Sequence, residues 1–467
     1  METKEIVKKN KMSRKTIQII SILALADVLV MAVPFYLKNV MSSVLISESL
    51  GILPSQFSQA NSIYGYVALL SYFAGGYLAD KISLKKLSLV GLGSVGIIGI
   101  WYGFIPFIES GKVAQVYIIF SLWSFVTCFI FWSALWKLLS EQGTKEENGT
   151  LNGVHGSLNG LIGSAIIAIA YLVFWLMNDI WNETLGAYAF SALVFVFSGF
   201  ILLNCFLLWF FVPEHKNESQ ENGEKVKFEL HTLMVVLKNY KVWLATLLIM
   251  GVYMFQSGLS VFVTYIQDAL LVTGVVVVIL GICRTYLFRA FFSVPAGKMA
   301  DKTQKYVLFI TIGLVISSIL CVTATLLPGF TETSFTDMSK GIQILIQVLV
   351  SALYLMLGIT CWALVTNRWA TIYEINVDHK QYATAVGFIS FLAFSPDAWF
   401  WQIDSILLKN FGTENGYQDN KLANQISLFI ITGIGLLAAV GGIILMICLK
   451  NEKKKVNLKS EQVAQHS

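Results

Sequence analysis

The chain has 467 residues, of which 56% are hydrophobic and only 13% are charged, and its mean hydropathy is +0.69. Soluble domains carry about 25% charged residues, so this composition excludes an ordinary soluble protein and indicates one that lies in a membrane. The formal net charge of +5 does not require a nucleic-acid partner, because the lysines concentrate in the tails and in the loops between apolar runs.

Hydropathy predicts twelve membrane-spanning helices, because each apolar run reaches the ~20 residues that a membrane helix needs. A charged tail over residues 1–16 precedes the first run, which lacks a small-residue cleavage site and therefore indicates a retained helix. Runs of this length without period-two alternation exclude a β-barrel, so the predicted fold class is an all-α membrane protein. The predicted spans are 17–43, 57–79, 87–108, 114–139, 153–178, 186–212, 241–267, 272–296, 306–328, 341–366, 383–408 and 425–449.

A polar loop over residues 214–240 separates the first six spans from the last six. The predicted organisation is therefore one half over 17–213 and a second over 241–449, followed by a polar tail over 450–467. Since a related turn occurs at matching places in both halves, we expect parallel repeats that enclose a central site.

The related turns lie after the second and the eighth span. Residues 75–86 read GGYLADKISLKK, and residues 295–306 read PAGKMADKTQKY. An acid just past a helix C-terminus opposes the helix dipole, so we expect each aspartate to find a partner on a neighbouring helix. Such contacts predict a conformational latch, and a solvated topology signal is the alternative. The latch candidates are Gly76, Asp80, Lys81 and Lys85 in the first turn, and Gly297, Asp301 and Lys302 in the second.

Most of the 33 lysines and arginines lie on the side of the N-terminus. The positive-inside rule therefore predicts that both termini face the cytoplasm. The strong preference for lysine over arginine is typical of an AT-rich bacterial genome, so we expect a multi-pass protein of the bacterial cytoplasmic membrane. We expect a monomer that contacts the lipid bilayer and binds no nucleic acid.

No sequence motif points to a cofactor or to enzyme chemistry. The six cysteines all lie in apolar runs and none forms a CxxC pair, which argues against a disulfide framework and a metal site. Residues 91–96 match GxGxxG, but they lie inside a membrane helix with no preceding strand. The sequence contains no GxxxxGK[ST], HExxH or GxSxG, so we expect no cofactor and no enzyme activity.

The repeated Gly-x-Leu-Ala-Asp turn with its basic residues resembles the signature of the major facilitator superfamily of secondary transporters. The resemblance implies twelve helices in two six-helix halves that move a solute by alternating access. The turn departs from the family pattern at Ser83 and Leu84, where Gly-Arg is usual, and the arginine common in the fourth helix is absent. YLKN at 36–39, CRTYLFR at 283–289 and FSPDAWFWQ at 394–402 are similar to a bacterial branch near the sugar-phosphate and organic-anion carriers.

Arg284 and Arg289 are the strongest candidates for substrate contact. Only four residues of the chain are arginines, and these two straddle the predicted midplane of the eighth helix. Unpaired charge there is costly, so such residues face a cavity or a partner. A bidentate grip on carboxylate or phosphate needs arginine rather than lysine, which predicts an anionic substrate. The alternative is a purely structural salt bridge within the membrane.

Asp27 and Asp397 are the candidate counter-charges, each near the middle of its span. Burial disfavours the charged form of a carboxyl group, whereas a nearby arginine favours it. Either aspartate is therefore a candidate for proton coupling as well as for substrate binding. The alternative is that each aspartate is the partner of an arginine and stays ionised throughout.

Five further polar residues in the apolar runs are weaker substrate-binding candidates. They are Tyr36, Lys38, His155, Asn159 and Gln256. Lys38 lies toward the outer end of the first helix, where extension to the lipid headgroups is the simpler expectation. His155 and Asn159 share one helical face among glycines that indicate close helix packing.

The sequence therefore predicts a secondary transporter of a small polar, anionic solute, such as a sugar derivative, a sugar phosphate or an organic acid. Transport would be coupled to protons or would proceed by exchange. The alternative is a transport-inactive sensor or assembly protein on the same scaffold, which would keep the turns and tolerate loss of the midplane charges.

Overall fold

The computed structural model describes residues 13–142, 148–176, 186–214, 230–329, 335–375, 377 and 382–466. The regular structure in these ranges is helical, and the long helices are joined by short turns. This agrees with the predicted fold class and with the length of the apolar runs.

Long helices correspond to all twelve predicted spans. They are α1 Arg14–Asn39, α2 Pro54–Lys81, α3 Leu84–Phe107, α4 Lys112–Leu139, α5 Asn148–Trp175, α6 Gly186–Phe211, α7 Tyr240–Ala269, α8 Gly274–Ala300, α9 Tyr306–Leu326, α10 Lys340–Asn367, α11 Tyr382–Ala393 with Pro396–Phe411, and α12 Lys421–His466.

Ten of these helices are long and apolar enough to cross a membrane, judged by length and composition over the described residues. The other two are α2 and α11. Serine, glutamine and asparagine side chains recur along the first half of α2 and lower its hydropathy. α11 is divided before Pro396, which has no N–H group to continue the helical hydrogen bonds.

The repeated turns begin later than the sequence predicts. The helices extend through Lys81 and through Thr303, so Asp80 and Asp301 lie in the last helical turn and not beyond it. The next helix starts at Leu84, and the side chain of its N-cap residue Ser83 accepts a hydrogen bond from the Lys86 amide. The expectation that the two acids follow the helix ends is therefore wrong.

The latch candidates are only partly described. The side chains at positions 76, 80, 81 and 301 lie outside the described residues. Lys85 donates a hydrogen bond of 2.7 Å to the Trp209 carbonyl, and a Cβ at Gly297 would lie 3.7 Å from Thr366. Each contact joins two residues of the same half, the first half for Lys85 and the second half for Gly297. The latch between the halves stays a prediction.

Buried apolar side chains form two large clusters. One is built from residues of the first six helices, and the other comes from the second six. Val278 and Tyr286 of α8 join the first cluster, so α8 packs against the opposite half. The domain boundaries at 213 and 241 stay a prediction.

The halves are joined by hydrogen bonds at one end of the bundle. Successive helices run in opposite directions, so one end (the terminal face) carries the start of α1 and the end of α12. The other end (the distal face) carries the α1–α2 and α11–α12 connections. Five serines of the first half bond the second half there, and we call these contacts the distal seam. They are Ser42 to Asp268, Ser43 to Thr264, Ser55 to Glu414, Ser58 to Asp404 and Ser62 to the Ala398 carbonyl, at 2.6–2.8 Å.

Glycines allow the backbones to approach along this seam. A Cβ at Gly65 of α2 would overlap the Asp397 carbonyl, and one at Gly281 of α8 would overlap the Asn39 carbonyl. Because the colliding atoms are backbone, a small side-chain movement cannot relieve the overlap. The distal half of the interface is therefore closely packed.

Replacing Gly65 with alanine is expected to destabilise this packed state. We expect Gly65→Ala to lower the free energy of unfolding by about 1–3 kcal/mol through overpacking. Gly93→Ala is the matched control, because a Cβ at Gly93 meets no atom within 4 Å. That change should be neutral or stabilising by up to ~1 kcal/mol through helix propensity. Thermal unfolding of both variants in detergent checks this, and equal melting temperatures would contradict the close packing at Gly65.

Candidate functional site

Asp27, Asn159 and Arg289 form a hydrogen-bonded chain across the two halves. Asn159 Nδ2 of α5 donates to Asp27 Oδ2 of α1 at 2.6 Å, and Arg289 Nη1 of α8 donates to Asn159 Oδ1 at 2.6 Å. The amide therefore lies between an acid of the first half and a guanidinium of the second. Asn159 uses both its donor and its acceptor, which is how one side chain can bridge opposite charges.

His155 lies one turn before Asn159 and completes this group. It is 1% exposed, and its Nε2 is 3.9 Å from Asp27 Oδ2. The Trp136 ring packs edge-on against the imidazole with centroids 5.3 Å apart. His155 and Asn159 therefore share one helical face, as expected, and both lie beside Asp27.

Arg284 lies one turn distal to Arg289 and binds backbone rather than a side chain. Its Nη2 donates to the carbonyls of Phe255 and Gln256 at 3.0 and 2.8 Å. α7 is interrupted at Leu259, so the Phe255 and Gln256 carbonyls lie where its continuous helical hydrogen bonding ends. Arg284 therefore supplies the donors that the broken helix lacks. Its own carbonyl accepts from Trp362 Nε1 at 2.6 Å.

Arg368 is a third arginine in this region. It directly follows α10, and its Nη1 donates to Gln256 Oε1 at 2.5 Å. Its guanidinium lies 5.7 Å from the Trp369 ring centroid and 5.4 Å from that of Phe394. Arg368 follows the predicted span 341–366, so the positive-inside rule counts it among the loop charges that set orientation. The available signal was that arginine is rare in this chain and that an aromatic residue follows this one.

Tyr36 lies between these groups. Its ring packs edge-on against Tyr286 of α8 with centroids 5.8 Å apart. The hydroxyl is within electrostatic range of Asp27 and of the three arginines 284, 289 and 368. The structure thus brings together seven of the candidate residues around a central region between α1, α5, α7, α8 and α10. We call this set, with Arg368, the central group: Asp27, Tyr36, His155, Asn159, Gln256, Arg284, Arg289 and Arg368.

The remaining candidates, Lys38 and Asp397, have their hydrogen-bond partners outside the central group. Asp397 accepts from Tyr253 at 2.5 Å and from Ser257 Oγ at 2.7 Å, both on α7. The neighbouring Asp404 accepts from Ser58 of α2 and Ser427 of α12, each at 2.7 Å. Each carboxylate is held by two hydroxyl groups, which satisfies its charge without an arginine.

Lys38 is buried and does not extend to the lipid headgroups, so that expectation is wrong. Only 5% of the residue is exposed. Its Nζ donates to Asn61 Oδ1 at 2.9 Å and lies 3.7 Å from the Trp401 ring centroid. Asp397 and Asp404 are within electrostatic range. The turn from a π-helix to a 3₁₀-helix at the end of α1 directs this residue inward.

Positive charge exceeds negative charge in the central group. Among the described residues, none of its three arginines has a carboxylate oxygen within 4.0 Å. Buried Nε atoms of Arg284 and Arg368 have no hydrogen-bond partner. The described histidine, cysteine, aspartate and glutamate side chains form no group of three that could hold a metal ion. The arrangement suits an anion better than a cation.

Comparison with known proteins gives a family match and several relatives. The model of the Major Facilitator Superfamily matches residues 23–396. The chain is 32% identical over 473 residues to the uncharacterized protein MG294 homolog of Mycoplasma pneumoniae, covering 98% of this chain and 97% of that one. It is 24% identical over 364 residues to the inner membrane protein YqcE of Escherichia coli, covering 76% and 79%.

Solved structures share the fold at low identity. A bacterial homolog of the human lysosomal transporter Spinster, in an inward-facing and unoccupied conformation, superposes with a TM-score of 0.63 at 12% identity. The match covers 93% of this chain and 99% of that one. At this identity the likeness concerns the arrangement of the helices alone.

Removing the bridging amide is expected to destabilise the protein. Asn159→Leu removes the buried hydrogen-bond partner of both Asp27 and Arg289, so the free energy of unfolding should fall by about 2 kcal/mol or more. Asn410→Leu is the matched control, because among the described residues the exposed Asn410 side-chain amide bonds the Ile406 carbonyl of its own helix and no other group. Thermal unfolding in detergent measures the difference, and similar melting temperatures would show that the bridge contributes nothing.

Proposed function

The chain belongs to the Major Facilitator Superfamily, and from this premise we propose that it is a secondary active transporter of a small polar, anionic solute. The family indicates a multi-pass membrane transporter rather than an enzyme. Sugar phosphates, other acidic sugar derivatives and organic acids are the proposed substrate classes.

The surplus of arginines in the central group is the observation that carries this proposal. An arginine has five N–H donors, and Arg289 uses one of them on Asn159. A carboxylate or phosphate that reached this region would find a guanidinium with free donors and no competing acid within 4.0 Å among the described residues. The planar fork of arginine suits the two oxygens of such a group.

Each arginine has a separate proposed role. Arg289 is the principal anion ligand, because its fixed partner is a neutral amide. Arg284 supports the broken α7 and presents the Gln256 backbone toward the site. Arg368 binds the Gln256 side chain and adds positive potential from α10. Tyr36, Asn159 and Gln256 supply neutral hydrogen-bonding groups, which a polyhydroxylated solute would need.

Transport would follow alternating access between the halves. In the structure the distal seam is closed, so the central group would be reached from the terminal face. Substrate exit on the distal side requires the seam bonds to break and contacts near the terminal face to form. The repeated turns, with Gly76, Asp80, Lys81, Lys85, Gly297, Asp301 and Lys302, are the proposed latch for that second state.

Coupling is proposed to run through Asp27. An anion that binds Arg289 competes with the Asn159 carbonyl oxygen, and within the described part of the chain the Asn159 amide connects Arg289 to Asp27 by hydrogen bonds. Substrate binding would thereby change the surroundings of the Asp27 carboxyl group and of His155. Proton symport and substrate exchange both fit this linkage. Asp397 is the second proposed proton carrier, at the position where α11 meets α7.

The proposed location is the bacterial cytoplasmic membrane, with both termini in the cytoplasm and with the protein acting as a monomer. The lysines concentrated at the terminal face support this orientation. Relatives named as inner membrane proteins support the membrane.

Uptake by proteoliposomes tests the anion site. The probes are radiolabelled glucose 6-phosphate, glycerol 3-phosphate, gluconate and lactate, with glucose as the neutral comparison. We expect uptake of at least one anion and a loss of about 10-fold or more with Arg289→Gln, the effect of removing a charged hydrogen bond. Arg289→Lys should recover only part of the uptake, because the bidentate geometry is lost.

Lys409→Gln is the control for uptake, because it removes one positive charge from an exposed position at the distal end of α11. It should transport like the wild type. If Arg289→Gln also transported like the wild type, or if only glucose were taken up, the anionic assignment would be wrong.

Proton movement tests the coupling residues. With the transported anion as driving solute, a pH-sensitive dye inside the vesicles should report proton flux for the wild type. We expect Asp27→Asn to abolish that flux while substrate exchange persists, because exchange needs no proton release. Asp397→Asn is measured in parallel, and the exposed Asp337→Asn is the control. Unchanged proton flux in both buried variants would remove these residues as carriers.

A further inference from the structure

A groove of about 320 Å³ lies between α1, α5 and α6, apart from the central group. Gln18 and Phe211 of its lining are exposed, so the groove opens to the surface of the first half, where it would face lipid. The residues that line it are Gln18, Ser21, Ile22, Leu25, Ile162, Leu207 and Phe211.

The groove runs along the terminal-face leaflet. Its lining on α1, from Gln18 to Leu25, rises by ~10 Å, and one leaflet of a ~30 Å hydrocarbon core is ~15 Å thick. Phe211 ends α6 and Leu207 lies one turn deeper, so α6 lines the part of the groove nearest the terminal face. The groove therefore starts about one helical turn below Arg14 and ends near the midplane.

Polarity changes along the groove. Gln18 and Ser21 lie near the surface, and the deeper lining is formed by aliphatic side chains. Ser21 Oγ already donates to the Ile17 carbonyl at 2.8 Å, so the exposed Gln18 amide is the polar group at the mouth. A molecule with a polar head and one long apolar chain matches this gradient.

A positive charge lies at the mouth of the groove. Arg14 is exposed and precedes Gln18 by one helical turn, so the two residues lie on the same face of α1. The next residue, Lys15, is also exposed and precedes Gln18 by three residues, so it flanks the same mouth from the other side. A guanidinium above an apolar groove in a leaflet is a site for a phosphate that is attached to an acyl chain.

We propose that this groove binds one acyl chain of an anionic phospholipid whose phosphate is held by Arg14 and Gln18. The depth, the polarity gradient and the charge at the mouth each fit a lipid of the terminal-face leaflet. The same walls adjoin the proposed site, since Leu25 precedes Asp27 by two residues and Ile162 follows Asn159 by three. A bound chain would fix the packing of α1 against α5, the two helices that the Asn159–Asp27 bond joins.

Native mass spectrometry of the full-length protein tests the headgroup contact. The detergent-purified protein is incubated with dimyristoylphosphatidylglycerol or dimyristoylphosphatidylcholine, which carry the same chains. We expect preferential retention of phosphatidylglycerol. Arg14→Gln should lower this preference by about 5-fold, the equivalent of ~1 kcal/mol per basic residue at an anionic lipid. Lys453→Gln removes the same charge from an exposed position at the terminal-face end of α12, in the other half, and should leave the preference unchanged.

A groove-filling variant tests the chain site. Leu207→Trp should reduce retention of both lipids, whereas Leu172→Trp, at an exposed position of α5, should not. Melting temperatures in lipid-free detergent identify variants that fail to fold. Three results would overturn the proposal: equal retention of the two lipids by the wild type, equal effects of Arg14→Gln and Lys453→Gln, or unchanged retention in a folded Leu207→Trp variant.

Discussion

The absence of water in the hydrocarbon core is the constraint on which the arrangement of this protein depends. Every buried charge or broken backbone bond must find a partner within the protein. The broken helix α7 and the buried Arg284 satisfy each other, because the helix offers unbonded carbonyls and the guanidinium offers donors. Asp397 and Asp404 each collect two hydroxyl groups, and Asp27 collects an amide. The polar groups of the interior therefore form small local sets.

These sets divide by depth into two kinds. Near the distal face the acids are saturated by hydroxyl groups from neighbouring helices, and some of those hydroxyls come from the opposite half. In the central group the acids are few and the guanidiniums keep unused donors. The first kind of set holds helices together, whereas the second keeps guanidinium donors that a ligand could use. The difference follows from which helices face the interface, since α8 carries arginines and α2 carries serines.

Much of the fold and part of the candidate site follow from the sequence. Apolar runs determine the helices because length and hydropathy are local properties. Depth along a helix also follows from counting, which placed Asp27 and Arg289 at a common level. Rotation about the helix axis does not follow, and for this reason Lys38 was expected to extend to the lipid headgroups. The serines of the distal seam gave no signal, because a hydroxyl group that can bond its own helix is compatible with any environment.

The chemistry of the distal seam bears on how readily the protein changes state. A neutral hydrogen bond contributes a net ~1 kcal/mol, and a bond to a charged group contributes about 1.5–3 kcal/mol. Part of this free energy is recovered when water hydrogen-bonds the separated groups. The five serine contacts therefore stabilise the closed state by several small contributions rather than by one large one. Reversing a two-state population from 1:99 to 99:1 takes about 5.5 kcal/mol, which is within the range of one well-bound ligand. A seam of hydroxyl groups thus keeps the resting population within reach of ordinary binding energies.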